Sequence, residues 1–274
     1  MNSPDSPQTT FSSRGLVLAL AFAGLLALAG LGWWSQPARA EETTPQNTIP
    51  TAKIWFVHAS PFAANAPDSQ VTVTISNTTT FIQVKDLAYL ETTGGYMSLP
   101  SGLATQVKVT GKSGTIPPVS LTFTPEEKEY TLVYVGGSNG FPLELLKLTD
   151  DNSLPVLGKG KLRVVHVAPF ALTAPDTVLD VRTQAGGFLA PTFESLFYRK
   201  ESGYVTLPYG RYDLKAAVPT SGATLFDIPP FVLGNQGIAT LFLVGDGSRQ
   251  PLQALRVAYR SGQDQLLFLP LVQK

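Results

Sequence analysis

The chain of 274 residues contains no cysteine. That excludes a disulfide framework, a thiolate metal site and a cysteine nucleophile. Charge is scarce as well: Asp, Glu, Lys and Arg make up 15% of the residues, with 20 basic against 20 acidic. A neutral chain lacks the electrostatic footprint of a nucleic-acid binder. Histidine occurs only twice, whereas a protein metal site normally draws on roughly three or four ligands. Neither G-x-S-x-G nor H-E-x-x-H is present, and "GKSGT" (111–115) lacks the upstream glycine of a phosphate loop, so it reads as a hairpin turn. What the chain does have is 24 Gly and 22 Pro among many Thr, Val, Leu and Phe. That mixture spells strands punctuated by turns.

Residues 1–14 are polar and end in Arg14, and "GLVLALAFAGLLALAGLG" (15–32) is an unbroken apolar run. "ARA" then places small residues at Ala38 and Ala40. This order predicts a secretory signal cleaved after Ala40, and hence a protein of the extracellular space or cell envelope. The alternative is an uncleaved anchor, the one route by which this sequence would engage a membrane. Residues 41–51 are polar and Pro-containing and read as a linker.

Beyond the linker the sequence repeats itself. "KIWFVHASPFAANAPDS" (53–69) returns as "KLRVVHVAPFALTAPDT" (161–177), so that His58, Pro61 and Asp68 fall on His166, Pro169 and Asp176 at an offset of 108. Gly95-Tyr96 and Leu99-Pro100 return at the same offset as Gly203-Tyr204 and Leu207-Pro208. A period of this length is domain-sized. "VTVTIS" (71–76) alternates apolar and polar residues, as a strand with one buried face does; "YTLVYVGG" (130–137) and "ATLFLVGDG" (239–247) are apolar on both faces and read as central strands. "KDLAYLE" (85–91) and "FESLFYRK" (193–200) are weak helical candidates or turns. The expected fold is all-β: two tandem antiparallel β-sandwiches of immunoglobulin-like size, residues 52–149 and 161–260, joined by a linker at 150–160. Residues 261–274 form an apolar tail or a last strand.

The phrase V-H-x-[SA]-P-x-A with its A-P-D turn, the later G-Y-x-x-L-P-x-G, and the strand Y-T-L-V-x-V-G-G resemble the family known as domain of unknown function 4397. The resemblance covers residues 53–148 and 161–257. It implies an exported bacterial or archaeal β-domain, often in tandem and often on cell-surface proteins, with no established activity and no catalytic residues to transfer. The second copy departs at "IATLFLVGDG", where the Tyr-Thr pair is missing and Asp246 replaces the second Gly.

Three readings of the conspicuous residues follow. In the first, His58 and His166, each on an apolar strand face, and Asp68 and Asp176 in their turns are structural. The protein is then a non-enzymatic surface or envelope module with a protein or glycan partner and no cofactor. In the second, Trp55, Tyr96, Tyr204, Tyr209 and Tyr212 form an aromatic surface that stacks on polysaccharide, the alternative being that Tyr96 and Tyr204 cap the sandwich with their hydroxyls bonded to a neighbouring loop. In the third, His58 or His166 serves a hydrolase, with Asp68 or Asp176 as its companion. The acidic cluster at 149–152 reads as a solvated hinge.

Overall fold

A computed structural model of the protein describes residues 49–260 apart from 113 and 115. The expected signal segment, nearly all of the following linker and the tail from 261 lie outside the described residues. No helix among the described residues is long and apolar enough to cross a membrane.

The first half runs through β1 (Thr51–His58), β2 (Val71–Ser76), β3 (Phe81–Leu87), β4 (Met97–Pro100), β5 (Thr105–Gly111), β6 (Val119–Phe123), β7 (Glu129–Val135) and β8 (Glu144–Asp150). The second half runs through β9 (Lys159–His166), β10 (Asp180–Thr183), β11 (Glu201–Pro208), β12 (Gly210–Ala217), β13 (Thr224–Leu233), β14 (Ile238–Val244) and β15 (Gln253–Arg260). Sheet order is β4-β1-β7-β8 and β3-β2-β5-β6 in the first half, β11-β9-β14-β15 and β10-β12-β13 in the second. The protein is all-β and built of sandwiches.

The strands are not uniformly antiparallel, which corrects the expectation from sequence. β1 runs parallel to β7, and β9 parallel to β14. These four strands are buried on both faces along most of their length, as parallel strands in a covered sheet are. The period-2 pleat explains what each face meets. Ile54 and Phe56 of β1 join Val71, Val73, Val107 and Leu132 in the core of the first sandwich, and Leu162 and Val164 of β9 join Leu214, Ile228 and Leu241 in the second. The opposite faces also meet. Trp55, Val57, Val133, Val135 and Leu148 pack with Val165, Phe242, Val244 and Val257 in a third apolar cluster. This seam joins the two sandwiches.

Of the two readings offered for 85–91 and 193–200, helix or turn, the structure has the turn. Asp86, Leu90, Ser195 and Arg199 all have positive φ, and the one helical turn nearby is a three-residue 3-10 segment, Pro191–Phe193. The constant offset fails. β1 pairs Lys53 with Glu129, while β9 pairs Lys161 with Ile238, so the last inner strands correspond at 109 rather than 108. Bulges in the β11–β9 and β12–β13 pairs shift the register. At the corrected register Thr131 matches Thr240, so only the Tyr of the Tyr-Thr pair is missing.

Two glycines test this geometry. Gly136 and Gly245 end β7 and β14 at φ +80 and +95, and a Cβ there would lie 1.9 Å from Pro142 O and 2.0 Å from Pro251 O. Gly245→Ala is expected to destabilise by about 3 kcal/mol or more, whereas Gly186→Ala, at φ +92 in open space, costs about 1–2 kcal/mol. Urea midpoints of the two variants check the difference.

Candidate functional site

His58 and His166 are fully buried and make the same bonds. His58 Nε2 lies 2.8 Å from Ser69 O, and its Nδ1 accepts from the Ser60 N–H at 3.3 Å. His166 Nε2 lies 2.5 Å from Thr177 O, and its Nδ1 accepts from the Ala168 N–H at 3.3 Å. A carbonyl can only accept, so Nε2 carries the proton and each ring is a neutral imidazole with both nitrogens in use. Phe62 stacks on His58 and Phe170 on His166, with ring centroids 5.7 Å apart in each case. Desolvation by burial, only partly offset by the carbonyl bond, lowers each imidazole to about 4. The phrase thus clips the end of the first strand of each half to the residue that follows the A-P-D turn.

Asp68 and Asp176 stand exposed in those turns and do not reach the histidines. Asp68 accepts from the Asn65 side-chain amide at 2.8 Å, and Asp176 from the Thr173 hydroxyl at 2.6 Å. Pro61 and Pro169 are buried behind them. The His–Asp pairing that the hydrolase reading needs is therefore absent among the described residues, and no group of three or more His, Asp or Glu there is placed to hold a metal.

The five aromatic candidates do not form one surface. Trp55 is buried at the seam, its ring 5.3 Å from Tyr96 and 5.4 Å from Tyr259, both edge-on. Tyr96 donates to Asp150 Oδ2 at 2.8 Å. Burial first, and then the Asp150 charge, holds this phenol protonated well above its usual range. Tyr204 lies under the Arg163 guanidinium, 4.5 Å away. Of the two places open to Tyr96 and Tyr204, an exposed surface and a capped corner, Tyr96 takes the second, its hydroxyl bonded to Asp150 and Asn152, and stacking the two inner sheets buries Trp55. Tyr209 remains 60% exposed, and the half-buried Tyr212 donates to Pro208 O at 2.5 Å.

Arg163 is the residue that sequence reasoning passed over. It occupies on β9 the place Trp55 holds on β1 and is completely buried. Its Nη2 donates to Asp150 Oδ1 at 2.6 Å, its Nε to Thr240 Oγ1 at 3.0 Å, and its Nη1 to Thr149 O and to Glu201 Oε2, both at 3.2 Å. Thr131 donates to the other Asp150 oxygen at 2.7 Å. The supposed solvated hinge is thus packed at Asp150, while Thr149 and Asp151 stay exposed. Asp150 is buried at the end of β8, Asp151 pairs with Lys161 at 2.6 Å, and Asn152 donates to Tyr96 and Glu129. At the opposite end of the seam, Ser138 donates to Asp246 at 2.5 Å and Asn139 to Pro169 O at 2.6 Å. Asp246 also accepts the backbone N–H groups of Ser248, Arg249 and Gln250. Its replacement of a glycine therefore fastens a loop. An open groove of about 780 Å³ runs beside the Arg163 end, lined by Ile49, Lys53, Glu129, Asp150 and Asn152 among others.

None of the curated proteins matches the chain. A crystal structure of a candidate adhesin from Bacteroides ovatus is 11% identical, with a TM-score of 0.17 over 66% of this chain and 78% of that one. Residues 52–175 match the family described as Domain of unknown function (DUF4397), which supports the likeness carried by the V-H-x-[SA]-P-x-A phrase, as one match rather than the two that tandem copies led us to expect.

Proposed function

We propose that the protein is an exported, non-enzymatic module of the cell surface or envelope, made of two copies of one sandwich domain and presenting its loops and edge strands to a protein or glycan partner. The observation that carries this reading is the fate of the shared phrase. Both histidines have their nitrogens tied to backbone, and the buried charges lie between the sandwiches, so the side chains most able to do chemistry hold the fold together. Exposed turns at 64–68 and 172–176, and the edge strand β3 with Phe81 70% exposed, remain for recognition. Export rests on the N-terminal sequence. In the native cell, the mature protein is expected to begin at Glu41 and to be shaved by protease added to intact cells. Recovery of an uncleaved chain from the cytoplasm would reject the proposal.

A polysaccharide-binding role is the second reading, supported now by Tyr209 and its neighbour Tyr212 alone. Retention on insoluble glycans that falls when both are changed to Ala would favour it over a protein partner.

A further inference from the structure

The strand ladders show which residues of the two halves correspond across the seam. Thr131 lies opposite Leu148 and Thr240 opposite Val257, so Asp150 and Tyr259 hold the same place in their halves. Trp55 and Arg163 hold a second shared place. The contacts between these places are crossed. Trp55 of the first half meets Tyr259 of the second at 5.4 Å, ring on ring, and Asp150 of the first meets Arg163 of the second at 2.6 Å, as an ion pair. The apolar middle of the seam does not tell the halves apart, since Val57 corresponds to Val165, Val135 to Val244 and Leu148 to Val257.

The far end of the seam repeats the arrangement with other groups. Gly136 and Gly245 close β7 and β14 alike, yet Gly137 and Ser138 follow in the first half where Asp246 and Gly247 follow in the second. Ser138 donates across the seam to Asp246, which is buried. An isologous pairing of two first halves from two copies would set Asp150 against Trp55 and leave it without a cation. Two second halves would set Arg163 against Tyr259 and Asp246 against Gly247. Each like pairing strips a buried charge of its partner, which costs far more than the intact pair contributes. We infer that each inner-sheet face is an interaction surface addressed to the unlike half of this chain, and that it rejects the like half of a second copy. The shared apolar stripe supplies adhesion, and the two ends supply the choice. The inference stands apart from export and from the class of partner at the outer loops.

Three full-length variants separate choice from adhesion. Trp55→Arg with Asp150→Tyr gives the first half the second half's pair, and Arg163→Trp with Tyr259→Asp does the reverse. The third variant carries all four substitutions, which restores unlike pairing with the roles exchanged. In urea unfolding followed by circular dichroism, each double variant is expected to lower the folding equilibrium constant by about a hundredfold or more. The fourfold variant is expected to be more stable than both. A fourfold variant less stable than the better of the two doubles would overturn the inference. A smaller exchange at the far end asks the same question without repacking large side chains. Ser138→Asp sets two carboxylates together and is expected to lower the urea midpoint, and adding Asp246→Ser to raise it again. A further fall on adding Asp246→Ser would overturn the inference.

Discussion

Arg163→Met is expected to destabilise the protein by about 3–5 kcal/mol, because it leaves the buried Asp150 without its ionic partner. Arg163 and Asp150 both have fully buried side chains and come from opposite sandwiches. Neither side chain is exposed to solvent in the folded protein. Two counter-effects decide the size. Desolvating both ions is expensive, so the intact pair contributes little net stability, but a lone buried carboxylate has no such balance. Adding Asp150→Asn should therefore recover much of the loss, since Asn still accepts from Thr131 and Tyr96 while carrying no charge. A double-mutant cycle in urea checks this. Full additivity of the two substitutions would mean that the pair is not coupled in solution. The readout is built in, because Trp55 at the seam is the one tryptophan outside residues 1–40.

The second large effect is acid sensitivity. Each imidazole falls from 6.5 to about 4 on folding. The native state therefore binds fewer protons than the unfolded state between those values, and stability drops as pH falls. The contribution is complete above the unfolded value of 6.5 and declines down to the folded value near 4. Between pH 8 and pH 5, above most carboxylate titration, the decline is about 2 kcal/mol per histidine. His58→Gln with His166→Gln keeps a donor for Ser69 O and Thr177 O and removes the titration. Urea midpoints measured across this range should become nearly flat in the double variant and halve their slope in either single one. An unchanged slope would show that the rings are solvated.

Much of the fold was legible because it is written in alternation. Ile54, Phe56 and His58 share one face of β1 as their spacing required, and the doubly apolar runs at 130–137 and 239–247 became inner strands. Those runs implied a second covered face without saying what covers it. Hence Trp55 could be counted with an aromatic surface, and nothing in the spacing singled out Arg163 at its counterpart position. Parallel pairing of β1 with β7 was not legible either, since alternation describes a strand's faces and not its neighbours. Spacing also hid a slip: one extra residue between Phe231 and Ile238, compared with Phe123 to Glu129, leaves the flanking motifs intact while moving the last strand to a new offset. For the histidines, position and face followed from alternation, but only the 11-residue reach to Ser69 O and Thr177 O shows why they recur.

The central claim is that the repeated phrase and the buried seam make two sandwiches into one cooperative body. Urea unfolding of the intact chain, followed at once by Trp55 fluorescence and by far-ultraviolet circular dichroism, tests it most directly. The two signals are expected to superimpose on a single transition. A fluorescence change that precedes a second, separate loss of strand signal would contradict the account.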